Sequence, residues 1–104
     1  RISAIAEKHK LTIAVYGHAG DGNIHPSVLC DLSKPGEEER VHRAVEELFD
    51  ATLAVGGTLS GEHGIGITKR PYIAKALGDA GVKALGAVKQ ALDPNGILNP
   101  GKIW

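Results

Sequence analysis

The sequence has almost none of the residues that cross-link small secreted domains. It contains one cysteine, Cys30, which excludes an internal disulfide and a zinc site made of several cysteines. Aromatic residues make up 4% of the chain, so the core must be built from aliphatic side chains. We expect Cys30 to lie in that core, and we expect a reducing, cytoplasmic setting.

The chain also lacks an excess of charge and a long apolar run. Its 12 basic residues balance 12 acidic ones, which gives no electrostatic surface for nucleic acid. No apolar segment approaches the ~20 residues that span a membrane, and no signal peptide is visible. We therefore expect no nucleic-acid partner and no membrane span, with any membrane association arising through partner subunits.

What is present fits one small domain. The chain has 104 residues, of which 42% are hydrophobic, enough for a single core. It has no methionine, and its first residues resemble the middle of a helix. We expect residues 1–104 to be one domain cut from a longer protein.

Apolar spacing predicts two strands and two helices in the first half. Residues 11–16 and 24–30 alternate with the period of a β-strand. Residues 2–10 have helical spacing, and a longer helix begins at Ser33 or Pro35 and ends at the glycines 56–57.

The second half adds a short helix after Pro71 and a last helix over residues 79–92. The inward face of that helix is expected to consist of Val82, Leu85, Val88 and Leu92. Together the elements predict an α+β fold, in which an antiparallel hairpin of a ferredoxin-like sheet packs against two or three helices.

The stretch YGHAGDGNIH predicts a hairpin that carries two histidines. A two-residue type I′ turn at Asp-Gly 21–22 would place His18 opposite His25, and Tyr16 opposite Ser27 on the same face. Opposed residues have Cβ atoms ~4.5–5.5 Å apart, so two imidazoles there can converge on one metal ion. The blander interpretation is a pair of solvated surface histidines.

A second glycine-rich loop, residues 56–66, supplies a carboxylate and a further imidazole. Glu62 and His63 are flanked by glycines, which let the backbone approach a ligand closely. Neighbouring side chains in an extended loop point in different directions, so Glu62 can coordinate a metal while His63 faces a substrate as general base. The sequence thus predicts the metal ligands His18, His25 and Glu62.

Four stretches, GHAGDGNIHP, GGTLSGEHGIG, TKRPY and LDPNGILNPGKIW, resemble the C-terminal domain of FAD-linked oxidases. The resemblance is nearest to the glycolate oxidase branch, beside D-lactate and D-2-hydroxyglutarate dehydrogenases. It implies a separate FAD-binding domain and oxidation of a small 2-hydroxy acid to the 2-oxo acid, with the hydride passing to FAD. It also implies that His18, His25 and Glu62 hold a divalent metal such as Zn²⁺ or Mn²⁺, and that His63 removes the hydroxyl proton.

The resemblance implies two further contacts. Ser27 occupies the position at which some relatives that handle larger acids have an amide, and it is a candidate substrate contact. Asn99, in the closing NPGK stretch, is a candidate contact to FAD. Because the FAD-binding domain lies outside the chain, we expect the isolated chain to be inactive. Its partners would be that domain, other oxidase subunits, and a second copy paired through an exposed sheet edge.

Two alternatives remain open at this point. The histidines and Glu62 could form a non-catalytic metal-binding or assembly module, in which a metal only fastens loops together. Alternatively, this branch of the family uses no metal, and His18, His25 and His63 act through hydrogen bonds and charge.

Overall fold

The computed structural model describes all 104 residues and contains three helices and one two-stranded antiparallel sheet. In chain order the elements are α1 (Ile2–Lys8), β1 (Thr12–His18), β2 (Asn23–Leu29), α2 (Glu37–Leu53) and α3 (Ile73–Leu92). This arrangement confirms the predicted α+β fragment. The sheet has no third strand, so the larger ferredoxin-like sheet remains a prediction.

The first of two compact units, residues 1–57, has its core between the helices and one face of the hairpin. Ile5 of α1 and Ala44 and Leu48 of α2 are buried, and Leu11 and Ile13 pack against them. Side chains alternate across a strand, so the even-numbered residues of β1 occupy the opposite face. The core therefore leaves one face of the hairpin available for chemistry.

Glycine residues with left-handed backbone conformations lie at both ends of α2. Gly36 has a left-handed backbone (φ 77°), so the helix begins at Glu37 rather than at Ser33 or Pro35 as the sequence suggested. At the other end Gly56 is left-handed, and the N–H of Gly57 donates to the carbonyl of Thr52 at 3.0 Å. This is the hydrogen-bond pattern of a Schellman motif, in which the predicted glycines 56–57 cap a helix whose last residue is Leu53.

The second unit, residues 58–104, is organised by α3. Gly78 interrupts this helix with φ 66° and ψ 169°, so it consists of a short segment and a longer one, as the sequence predicted. Leu59 and Ile73 are the buried hydrophobic residues of this unit.

Two expectations about burial are wrong. On the last helix, the predicted inward residues Leu85, Val88 and Leu92 are 43%, 57% and 76% exposed. Helical spacing shows that these residues share a face, but it does not show that the chain itself covers the face. Cys30 is also exposed, because it lies just beyond the end of β2.

None of the three helices combines the length and the apolar character needed to cross a lipid bilayer.

Candidate functional site

The turn that joins the two strands differs from the predicted type I′ turn. Residues Ala19–Asp21 form one turn of 3-10 helix, and Gly22 closes it in a left-handed conformation. A type I′ turn needs positive φ at both central residues, whereas Asp21 does not have it. The connection is therefore a four-residue loop, a common hairpin alternative.

The longer loop changes the strand register. His25 pairs with Tyr16, and His18 pairs with Asn23, so the predicted His18–His25 and Tyr16–Ser27 pairs are both wrong. The pairing has moved by two residues, and side chains alternate with a period of two, so every side chain keeps its face. His18 and His25 are consequently diagonal neighbours on one face instead of direct partners.

The two histidines nevertheless converge. Their rings meet edge to face with centroids 5.4 Å apart. A ring nitrogen of His18 lies within 4.8 Å of one of His25. Nitrogens that bind one ion at ~2.0–2.1 Å are at most about 4.2 Å apart, so the pair lies close to that geometry. The donor chemistry of this pair fits a divalent transition metal.

Tyr16 and Ser27 complete the same face, which we call the histidine face (Tyr16, His18, His25 and Ser27). The ring of Tyr16 stacks on that of His25, with centroids 5.6 Å apart, and its hydroxyl lies 3.1 Å from Ser27 Oγ. Sequence reasoning assigned no function to Tyr16. The signal that could have found it is its position two residues before His18, which places both on one face of a strand.

Gly17 allows the strands to approach at this point. It has φ 148°, and a Cβ built there would lie 2.2 Å from the carbonyl oxygen of Asn23. No larger residue can occupy this position without separating the strands. The glycine between Tyr16 and His18 therefore sets the distance between the two halves of the histidine face.

The second predicted group, Glu62 and His63, lies in a loop of the second unit. The His63 Nε2 atom is 3.4 Å from Glu62 Oε1, and the two side chains are 68% and 45% exposed. The prediction that these neighbours point in different directions is therefore wrong, since the side chains converge. Gly64 and Gly66 have φ of 77° and 58°, which explains why glycines follow the pair.

The segment that carries Asn99 is held by a charged pair. Asp93 accepts hydrogen bonds from the backbone N–H groups of Ile97 and Leu98, each at 3.0 Å. Lys89 donates to the Asp93 carboxylate and to the Leu98 carbonyl. Asn99 follows with a left-handed φ of 48°, a conformation that asparagine tolerates better than most residues.

The tail also returns to the glycine-rich loop of its own unit. The N–H of Ile103 donates to the carbonyl of Gly66 at 3.0 Å. The closing stretch is thus fixed at both ends, by Asp93 before Asn99 and by Gly66 after it.

Comparison with known proteins places these features in a family. The sequence model of the protein family "FAD linked oxidases, C-terminal domain" matches residues 1–103 of the chain. The chain is 46% identical over 103 residues to the glycolate oxidase subunit GlcD of Bacillus subtilis (strain 168), covering 99% of this chain and 22% of that protein.

Two further relatives come from neighbouring enzyme groups. D-lactate dehydrogenase [cytochrome] 1, mitochondrial, of Saccharomyces cerevisiae is 42% identical over 95 residues, which are 91% of this chain and 16% of that protein. D-2-hydroxyglutarate dehydrogenase of Stutzerimonas stutzeri is 36% identical over 107 aligned residues, 99% of this chain and 23% of that protein. The chain therefore spans about a fifth of the length of the curated relatives it matches.

Proposed function

Because the chain belongs to the family of C-terminal domains of FAD-linked oxidases, we propose that it is the substrate domain of a flavoprotein that oxidises a small 2-hydroxy acid. The product is the 2-oxo acid, and the substrate loses a proton from its hydroxyl and a hydride from its carbon. The observation that carries the proposal is the histidine face, where two imidazoles converge beside two hydroxyl groups.

The substrate class follows from the chemistry of these groups and from the relatives. A 2-hydroxy acid offers a carboxylate and a hydroxyl that can chelate one cation in a five-membered ring. Proteins similar to this chain are named for glycolate, D-lactate and D-2-hydroxyglutarate. We propose a small acid of the glycolate or D-lactate type, since the short Ser27 side chain is the candidate substrate contact.

FAD, held mainly by a domain outside this chain, supplies the hydride acceptor, which no amino-acid side chain can provide. Asn99 is the proposed contact from this chain to the flavin. Asp93 accepts hydrogen bonds from Ile97 and Leu98, the two residues that precede Asn99, so Asn99 lies in an ordered turn.

We propose His18, His25 and Glu62 as ligands of a divalent metal such as Zn²⁺ or Mn²⁺. Two imidazoles and a carboxylate are a donor set that both ions accept, with positions remaining for substrate. When bound, such an ion lowers the pKa of the substrate hydroxyl and orients the substrate.

His63 is the proposed general base. Its Nε2 atom would take the hydroxyl proton, and the imidazolium that forms would lie next to the Glu62 carboxylate, 3.4 Å away. Ser27 would donate a hydrogen bond to the substrate carboxylate from the histidine face. In this proposal the loop that carries His63 removes the proton, and the hairpin orients the substrate.

We expect the isolated chain to be inactive, because it matches the C-terminal domain of FAD linked oxidases and spans about a fifth of the length of its relatives. Its partners in the whole protein are that FAD-binding domain and other oxidase subunits, and we expect a cytoplasmic location. The exposed edges of the two-stranded sheet would allow pairing with further strands or with a second copy.

The test uses the whole protein with its flavin. Glycolate, both lactate enantiomers and D-2-hydroxyglutarate are offered with an acceptor dye, whose reduction measures turnover. Bleaching of the flavin absorption is followed in separate anaerobic samples without the dye. His63→Gln is expected to lower kcat by about 10²–10⁴-fold, the usual effect of removing a general base. His42→Gln is the control, because His42 is an exposed histidine on α2. Undiminished turnover by His63→Gln would show that His63 is not the general base.

A further inference from the structure

The ring of Tyr16 lies nearly parallel to the imidazole of His25. The two planes differ by 19° at a centroid separation of 5.6 Å, and His18 meets the same imidazole at 83°. The imidazole of His25 thus has one neighbouring ring nearly parallel to it and a second nearly perpendicular to it. Such contacts restrict rotation of the imidazole.

The contact with Tyr16 is fixed by the strand register. Tyr16 and His25 are directly opposed in the sheet, so the pairing of the two strands holds their Cα atoms close to each other. His18 is only a diagonal neighbour of His25. The four-residue turn therefore gives the candidate ligand an aromatic residue as its closest cross-strand partner.

The far end of the Tyr16 ring is held as well. Its hydroxyl lies 3.1 Å from Ser27 Oγ, on the strand that carries His25 and two residues beyond it. The backbone thus fixes one end of the ring and a hydrogen bond fixes the other. Tyr16 is 63% exposed, so packing in the core of its unit does not explain why an aromatic residue lies at this position.

We propose that Tyr16 is a positioning residue for metal binding: its ring, anchored to Ser27, holds the imidazole of His25 in the orientation that a divalent cation requires. This inference rests on the proposed function, because it assumes that His25 is a metal ligand. In this inference Tyr16 contacts the metal-binding residue His25 and not the ion itself. Contacts of this kind tune the metal affinity of a site.

The first experiment measures metal affinity in the whole protein after its metal is removed with a chelator. Zn²⁺ is titrated calorimetrically, and Co²⁺ is titrated by its visible absorption, which reports ligand geometry. Tyr16→Leu is expected to weaken Zn²⁺ binding about tenfold and to change the Co²⁺ spectrum. Tyr16→Phe keeps the ring but loses the hydroxyl that anchors it to Ser27, so its affinity is expected to lie between that of Tyr16→Leu and that of the unmodified protein.

Two further variants guard against a trivial folding effect. Tyr16→Thr also removes the ring but favours a strand, so it tests the same point if Tyr16→Leu folds poorly. Val15→Ala is the matched control, because Val15 is a 51% exposed residue on the other face of the same strand. We expect Val15→Ala to bind Zn²⁺ like the unmodified protein.

A second readout follows the imidazole directly. With histidine labelled by ¹³C at Cε1, the His25 resonance is assigned through its loss in His25→Gln. Removal of the stacked ring in Tyr16→Leu or Tyr16→Thr should shift this resonance, because the ring current disappears, and Val15→Ala should not shift it. An unmoved resonance in both ring-free variants overturns the inference.

The outcomes separate this inference from the proposed function. Failure of the unmodified protein to bind either Zn²⁺ or Co²⁺ overturns the metal part of the proposed function and this inference with it. Binding that is equally tight in Tyr16→Leu, Tyr16→Thr and the unmodified protein overturns this inference alone. Weaker binding in both ring-free variants, with partial recovery in Tyr16→Phe, supports it. Binding by Tyr16→Phe that is as weak as that of the ring-free variants overturns the role of the ring.

Discussion

Lys89 donates a hydrogen bond to the carboxylate of Asp93, one turn further along the chain, where the last helix ends. The same ammonium group donates to the carbonyl of Leu98 at 2.7 Å. Asp93 is only 5% exposed, so its charge depends on this partner and on two backbone N–H groups. The pair joins the helix to the segment that carries Asn99.

Lys89→Gln is expected to lower the thermal midpoint of the chain, because it leaves the buried Asp93 carboxylate without its cationic partner. Limited proteolysis should then cleave the closing segment faster than in the unmodified chain. Lys83→Gln is the matched control, since Lys83 is an exposed lysine on the same helix. Equal midpoints for the two variants would show that the pair does not stabilise the tail.

The stability of this region should fall in acid. The hydrogen bond from Lys89 and those from the N–H groups of Leu98 and Ile97 lower the pKa of Asp93 in the folded state, against the opposing effect of burial. An unfolded aspartate has a pKa of about 3.9. The stabilisation is therefore complete well above that value and is lost as the pH falls through the lower, folded pKa.

Urea unfolding between pH 7 and pH 2.5 tests this prediction. The difference in unfolding free energy between the unmodified chain and Asp93→Asn should shrink at the acid end. A difference that is constant with pH would contradict the assignment to Asp93. Asp31 and Glu47, whose pKa values are also lowered, are present in both proteins and cancel in the comparison.

Gly17→Ala is expected to disrupt the hairpin. The added methyl group would overlap the carbonyl oxygen of Asn23, and the positive φ is unfavourable for alanine. We expect a loss of about 3 kcal/mol or more from strain and overlap together. Circular dichroism and urea unfolding measure it. Gly20→Ala is the control, because a Cβ there meets nothing within 4 Å; equal effects of both substitutions would contradict the clash.

Leu48→Ala should destabilise the first unit by about 2–5 kcal/mol, the cost of removing a buried leucine side chain. Leu48 is 8% exposed and forms the core with Ile5 and Ala44. Leu32→Ala, at a position that is 63% exposed, is expected to change stability by less than about 0.5 kcal/mol. Similar losses for the two variants in urea unfolding would show that the core has been assigned wrongly.

Chelation distinguishes the three functional alternatives. If His18, His25 and Glu62 bind an essential metal, EDTA should lower turnover of the whole protein by at least about tenfold, and Zn²⁺ or Mn²⁺ should restore it. Unchanged turnover with no metal bound favours histidines that act by hydrogen bonds and charge. Bound metal that affects only thermal stability favours an assembly module.

The shared face of the histidines could be predicted from the sequence although the turn could not. The Asp-Gly pair favoured a type I′ turn, but Ala19–Asp21 adopted a helical turn and required left-handed geometry only at Gly22. The resulting shift of two residues preserves the alternation of side chains. Only an odd shift would have placed His25 on the opposite face from His18, and a shift of two residues keeps them diagonal neighbours, so they converge although the predicted register was incorrect.

Other features depend on interactions that spacing does not encode. The periodicity of the last helix groups Leu85, Val88 and Leu92 on one face, but exposure depends on what else packs there. The stacking of Tyr16 on His25 depends on the register and could not be derived once the turn was misjudged. The network of Asp93 required the backbone path of the tail, which no local pattern specifies.

Gly78 divides the last helix into two segments, since its backbone is far from helical. Fraying of residues 73–77 therefore need not spread into residues 79–92. Amide protons of the short segment can exchange with solvent on their own timescale while those of the longer segment stay protected. Residues 73–77 can thus loosen without unwinding the part of the helix that holds the closing segment through Lys89.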